Sequence, residues 1–233
     1  MGRLALLLTL MLPSDQPNHI EFNSSYHKEL YFFAERGLKN AYTSAIVINA
    51  FSKEGSGIIT GSGNYFKIGD QVFIMTAAHV VDNMSKVFVT ERSGFTYEAE
   101  VRHIDYFRDI AIIVPERKLM YTKAIDYHSS KYIEIGKEVF YCGNPNNQTF
   151  LNFQGRVSGM EGQYLLINNF AWPGSSGSVV FNKEGRVVGI LSAVSVDNPT
   201  GFPVLLPNIV RIGPTLNYTR KYILEVLVDE DRN

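Results

Sequence analysis

Three short strings in this chain carry side chains suited to nucleophilic acyl transfer. The first is Trp172-Pro173-Gly174-Ser175-Ser176-Gly177-Ser178-Val179-Val180, a Gly-x-Ser-Gly turn placed just before an apolar run. Its two glycines permit a tight turn that exposes Ser176 Oγ, and the N–H groups of Gly174 and Ser176 can then point at one developing oxyanion. Alone, such a string arises by chance in roughly one chain of this length in ten at average residue frequencies, and an ordinary glycine-serine turn reads the same way. The second string, Phe73-Ile74-Met75-Thr76-Ala77-Ala78-His79-Val80-Val81, ends an apolar run at a histidine whose small neighbours leave room beside the ring. A general base for acyl transfer needs one ring nitrogen free to take the proton of the nucleophile, and a strand end suits it.

The third string is Phe107-Arg108-Asp109-Ile110-Ala111-Ile112-Ile113-Val114. Here a carboxylate abuts a run that is apolar on both faces, so it is drawn inward and requires a donor there. An imidazole N–H supplies one, and a carboxylate so held fixes the histidine tautomer and stabilises the imidazolium. Asp105 is a nearby competitor, although only Asp109 touches the buried run. Each residue has a plain structural reading, as a strand-end histidine, a turn aspartate or a turn serine. The specific signal is their joint occurrence, His79, Asp109 and Ser176, in the order His, Asp, Ser.

The elements that must position them are short β-branched or aromatic runs separated by Gly, Asn, Asp and Ser, the pattern of an antiparallel sandwich or barrel. One series comprises 43–50, 57–60, 71–75, 86–90, 97–103 and 110–114. A second comprises 138–141, 153–158, 164–168, 178–181, 186–194 and 202–206. Six strands on each side suggest two small barrels, joined by the charged, weakly alternating segment 116–131. The expected organisation is an apolar N-terminal segment and helix over 1–42, a domain over 43–212 with barrels at 43–115 and 132–212, and a C-terminal helix within 213–233. Apolar residues over Tyr26–Leu38 are spaced for one helical face leading into the domain, and those between Pro214 and Val228 for a closing helix.

With 233 residues, 45% of them hydrophobic, the chain can bury a sizeable core. A formal charge of −1, with 22 basic against 23 acidic residues, provides no basic stripe for phosphates, so no nucleic-acid partner is expected. The single cysteine, Cys142, excludes an intramolecular disulfide and a multi-thiolate zinc site, and it reads as a small buried side chain at a strand end. No His-Glu-x-x-His spacing is present, so the chemistry is expected to need neither metal nor cofactor. Met1-Gly2-Arg3 followed by Leu4–Leu12 has the order of a signal peptide but no clear cleavage site, and it is too short to span a bilayer. Secretion or export to a periplasm follows if it is a signal, a cytoplasmic place otherwise. Sequons at Asn23, Asn83, Asn147 and Asn217 do not decide between them.

Taken together, Gly61-Ser62-Gly63, Thr76-Ala77-Ala78-His79-Val80-Val81, Asp109-Ile110-Ala111 and Pro173-Gly174-Ser175-Ser176-Gly177 resemble successive motifs of the trypsin-like peptidases, in particular the HtrA/Deg type. The stretch Phe181–Ile190 is similar to that family's hairpin after the serine, and the resemblance covers roughly residues 43 to 212. It implies an all-β, chymotrypsin-like pair of six-stranded antiparallel barrels and a serine endopeptidase acting on protein or peptide substrates through an acyl-enzyme, without the PDZ domain of full HtrA proteins. The chain departs from the family string Gly-Asn-Ser-Gly-Gly at Ser175 and Ser178. Neither an Ile-Val-Gly-Gly start nor a carboxylate at 175 is present, so a buried ion pair to a new N-terminus is not expected. The turn should instead be set locally, by Pro173, Gly174 and Gly177.

The resemblance also assigns specificity positions. Phe170, six residues before Ser176, falls at the base of the specificity pocket and disfavours Arg or Lys. Leu191 stands where glutamyl endopeptidases place a histidine and disfavours Glu. A small or apolar residue before the scissile bond is therefore expected, with the segment around Leu191, Ser192 and Ala193 offering its backbone edge to an extended peptide. The competing reading is a catalytically weak protein of this fold that binds or assembles, for example a viral or phage factor. An α/β-hydrolase esterase is excluded because its histidine follows the serine, and no histidine follows Ser176 here.

Overall fold

The strand pattern closes into two rings. The computed structural model describes residues 35–52, 57–197 and 204–228. In the first ring, β1 (Ala45–Ser52), β2 (Ile58–Ile68), β3 (Gln71–Thr76), β4 (Met84–Thr90), β5 (Thr96–Asp105) and β6 (Ile110–Pro115) follow the spatial order β1-β4-β5-β6-β3-β2. Antiparallel pairing of β1 with β2, from Ala45 opposite Asn64 to Phe51 opposite Ile58, completes the circle. The two-residue strand β7 (Ile125–Asp126) lies parallel to β2 outside it. In the second ring, β8 (Glu138–Gly143), β9 (Leu151–Glu161), β10 (Tyr164–Asn168), β11 (Val179–Asn182), β12 (Val187–Asp197) and β13 (Val204–Pro214) close in the order β8-β9-β10-β13-β12-β11. These are the two six-stranded antiparallel barrels expected from the spacing, and closure leaves neither ring with an unpaired edge.

Burial follows the sequence pattern. Alternate residues of β5 are buried where it opens, whereas Ile110–Ile113 in β6 are all buried, as a run apolar on both faces requires. Phe66 packs on Phe73, Tyr127 and Phe181 with ring centroids 5.4–6.1 Å apart, and Phe181 comes from the second ring. The seam between the barrels is thus an aromatic core in its own right, where each buried ring contributes on the order of 2 kcal/mol by area removed from water. Cys142 is buried in the same core, and burial pushes its thiol up to about 12. A second core of Val139, Tyr141, Leu165, Ile167, Val180 and Ile212 fills the second ring.

The local reading fails at the start of the first strand. The expected helix over 26–38 lies mostly outside the described residues, as does the apolar run Leu4–Leu12, and α1 runs over Arg36–Ser44, so Thr43 and Ser44 close a helix rather than open a strand. Tertiary contacts override their β propensity. Asn64 Nδ2 donates to Ala41 O at 3.0 Å and to Ser44 Oγ at 2.9 Å, while Thr43 Oγ1 and Ser44 Oγ donate back to Lys39 O and Asn40 O. The strand expected at 57–60 runs on through the glycines to Ile68, and the closing helix, α3 (Arg220–Val228), begins after β13 has ended at Pro214.

Candidate active site

His79 sits in α2 (Ala78–Val81), a single turn that leaves the end of β3. Ala77 and Ala78 are buried beneath it, which aims the imidazole outward, with its side chain 47% exposed against 13% for Asp109. Asp109 occupies the last position of the turn between β5 and β6, at φ +55°. This is the left-handed region, which aspartate tolerates better than most residues. The twist turns the carboxylate back towards α2, where Oδ2 stands 2.7 Å from His79 Nδ1 and Oδ1 accepts the His79 backbone N–H at 2.9 Å. Ser192 Oγ donates to the same Oδ2. Burial alone would push the Asp109 carboxyl up, but the His79 ring, the Ser192 hydroxyl and the His79 N–H outweigh it and hold it below the ordinary carboxylate value.

Asp105, the competing acid, is engaged elsewhere. It accepts the Arg108 N–H at 3.0 Å, the Arg108 guanidinium at 2.9 Å and the Tyr218 hydroxyl at 3.0 Å. It braces the turn that carries Asp109 and does not reach His79.

Ser176 lies between two glycines in conformations that other residues rarely adopt. Gly174 and Gly177 have φ of +99° and +89°. A Cβ on Gly174 would strike Asn144 O, and one on Gly177 would strike Ser62 O and Thr76 Oγ1. The Ser62 N–H donates to Ser176 O at 2.7 Å, pinning the serine backbone to β2 of the other barrel. Gly177 also lies against Ala77 N, two residues before His79, so the serine turn and the histidine turn meet at the seam. Within the turn, Ser175 N–H donates to Trp172 O, Gly177 N–H to Leu191 O and Ser178 N–H to Ser175 O. Among the described residues, no acceptor is bonded to the N–H of Gly174 or of Ser176.

The sequence suggested that this turn is set locally, and the structure corrects that expectation. Ser62 Oγ donates to Gly174 O at 2.7 Å and Asn146 N–H to Pro173 O at 2.9 Å, so residues remote in sequence hold it. The specificity positions are spread more widely. Phe170 is 42% exposed and lies in an aromatic column between Phe153 and Trp172, with centroids 5.9 and 6.5 Å away. The Leu191 side chain is buried in the second core, and its N–H and C=O are bonded to Ser178 and Gly177. Ser192 falls at a register shift between β12 and β13, a bulge that turns its hydroxyl to Asp109, and Ala193 beside it is half-buried. The contact from Ser192 to the acid had no signal in sequence, since nothing local announces the bulge. Among the described residues, no three His, Cys, Asp or Glu side chains converge as a metal site would require.

The model of the trypsin-like peptidase domain family matches residues 55–190. The chain belongs to the trypsin-like peptidase family. Within this trypsin-like chain the matched stretch runs from just before β2 into β12, and it contains His79, Asp109 and Ser176. Among its relatives, the putative serine protease HhoA of Synechocystis is 31% identical over 161 residues, covering 64% of this chain and 41% of that protein. A protein named serine protease HtrA-like from Staphylococcus haemolyticus is 27% identical over 179 residues, covering 69% of this chain and 27% of that one. The chain therefore spans well under half the length of these relatives. A crystal structure of the serine endoprotease from Yersinia pestis superposes with a TM-score of 0.64 at 23% identity, over 84% of this chain and 67% of that chain, a likeness of fold. No helix among the described residues is long and apolar enough to cross a membrane.

Proposed function

We propose that this chain is a serine endopeptidase in which Ser176 is the nucleophile, His79 the general base and acid, and Asp109 the orienting carboxylate. The observation that carries the reading is the double grip of Asp109 on His79, 2.7 Å to Nδ1 and 2.9 Å to the backbone N–H. A carboxylate at Nδ1 keeps the proton there and leaves Nε2 as the base. Ser176 Oγ attacks the scissile carbonyl and passes its proton to His79 Nε2. The N–H groups of Gly174 and Ser176 stabilise the oxyanion, and His79 returns the proton to the leaving amine. Water, deprotonated by the same nitrogen, then hydrolyses the acyl-enzyme.

The substrate class is protein or peptide, held as an added strand along Ser192 and Ala193, with the uncharged wall at Phe170 favouring a small or apolar residue before the cleaved bond. Residues 43–212 carry this unit, and its chemistry requires no metal or cofactor. The test is fluorophosphonate labelling with peptide mapping, carried out in EDTA. The adduct is expected on Ser176, with Ser176→Ala and His79→Ala each losing on the order of 10⁶ in turnover and the double variant hardly worse. Labelling elsewhere, or activity surviving in Ser176→Ala, would refute the assignment.

A further inference from the structure

The oxyanion turn of this chain is built on peptide planes whose orientation no charge secures, because Ser175 is neutral and buried. Contacts from outside the turn do the orienting. Ser62, fully buried on β2, has a hydroxyl with one hydrogen and two lone pairs, and all three are used. It accepts the Asn144 backbone N–H and Nδ2, both at 3.0 Å, and both of those groups are donors only. Its own hydrogen must therefore go to Gly174 O, 2.7 Å away. On the other side of Gly174, the Asn146 N–H holds Pro173 O at 2.9 Å. Pro173 O and the Gly174 N–H belong to one trans peptide and point in opposite directions, so holding the carbonyl aims the N–H away from Asn146. Both planes flanking Gly174 are fixed in this way, and with them its φ of +99°.

The loop that supplies these contacts is itself under strain. Asn146, Asn147 and Phe150 all have φ between +50° and +62°, three non-glycine residues in the left-handed region within five positions. Hydrogen bonds tie Asn146 to Pro173 and Phe150 to Asn144. Asn144 Oδ1 accepts the Phe150 N–H at 2.8 Å, and Asn144 Nδ2 donates to Ile46 O at 3.1 Å in the first barrel. The Arg92 guanidinium lies 4.2 Å over the Phe150 ring. A network spanning both barrels, uncharged where it meets the turn, thus converges on the two peptides flanking Gly174, whose N–H has no acceptor among the described residues.

We infer that Ser62 and the Asn144–Phe150 loop form a latch that holds the Pro173–Gly174 peptide in its oxyanion-donating orientation, which makes Ser62 and Asn144 positioning residues for hydrolysis. The inference rests on the peptidase reading above. Without the Ser62 hydroxyl, Gly174 O is released and Asn144 loses the acceptor for its N–H and its Nδ2, so the segment carrying Asn146 loosens its hold on Pro173 O and the Gly174 N–H samples directions away from the oxyanion. The defect lies in the transition state and not in substrate binding.

The test uses the full chain, with active sites counted by fluorophosphonate titration. Ser62→Ala is expected to lower kcat per titrated site on the order of 10²-fold, the effect of losing one oxyanion donor, with KM within about threefold of wild type. A peptidyl boronate, which forms a tetrahedral adduct on the serine, should weaken in proportion to kcat while the cleaved product peptide binds as before. Asn144→Asp probes the same relay without removing volume. A carboxylate beside Ser62 captures the hydroxyl hydrogen and so frees Gly174 O, and the same kcat-selective loss should follow. Wild-type kcat and boronate affinity in either variant, whatever its melting temperature, would overturn the latch. A wild-type chain that neither labels at Ser176 nor cleaves peptides would overturn the peptidase reading, and the latch with it.

Discussion

Replacing Asp109 by asparagine changes one oxygen to an NH2 group, and the surrounding geometry dictates which one. Asp109 Oδ1 accepts a backbone N–H from His79 at 2.9 Å, a donor that cannot rotate away, so the amide oxygen of the substituted side chain must take that place. The NH2 then faces His79 Nδ1, which stood 2.7 Å from Oδ2, and turns that nitrogen into an acceptor. The Ser192 hydroxyl that donated to Oδ2 can reverse and accept from the NH2, so nothing opposes the swap. His79 now carries its proton on Nε2 and cannot take one from Ser176. The expected loss is on the order of 10⁴ in kcat near neutral pH, about 5 kcal/mol of transition-state stabilisation, with the fold retained. The stability signature has a definite sign. Because the Asp109 carboxyl is held below its ordinary value, it stabilises the fold above that value and loses this contribution as pH falls through the folded pKa. Asp109→Asn should therefore flatten the acid limb of the stability profile. Turnover normalised to titrated sites, together with urea unfolding followed from neutral into acid pH, measures both effects. Turnover in Asp109→Asn within about tenfold of wild type, or a larger loss in Asp105→Asn, would refute the assignment of the acid.

Ser192→Ala deletes one donor to the Asp109 carboxylate, and a charge-assisted bond of this kind predicts a fall on the order of tenfold in kcat and a raised apparent acid pKa in the pH–rate profile. Gly177→Ala places a methyl against Ser62 O and Thr76 Oγ1 at φ +89°, and chemical denaturation should register a loss of about 3 kcal/mol or more. His103 lies against Tyr218 and Tyr222, and its pKa is lowered by burial, with Asp105 opposing. Its neutral form stabilises the fold above the ordinary imidazole value of about 6.5, and that contribution is lost as pH drops towards the lower folded value. His103→Gln should reduce the change in urea midpoint between about pH 7.5 and about pH 5.5, the window that brackets that ordinary value. Cys142, buried and held as a thiol, should stay unmodified by a thiol reagent until the chain unfolds, which a timed reaction with and without denaturant would establish.

The strands, and the three strings proposed to carry chemistry, stood out in the bare sequence because both depend on short-range physics. Alternation and β-branching marked all twelve barrel strands to within a few residues except β2 and β13, which run well beyond the expected spans. A carboxylate set against Ile110–Ile113 had to find a donor inside, whatever the fold. The partners that arrive from elsewhere in the fold were not legible. Thr43 and Ser44 ended a helix because Asn64, twenty residues beyond Ser44, bonds to its last turn. The preference for Asp109 over Asp105 was legible in its place beside the buried run, but the left-handed turn that aims it and the Arg108 and Tyr218 contacts that engage Asp105 were not. The turn around Ser176 is held by Ser62, which lies 112 residues before Gly174, and by Asn146. A hydroxyl or a backbone N–H carries no mark in sequence of where it will point. Its direction is set by the closure of two barrels, and it becomes legible only when the seam between them is formed.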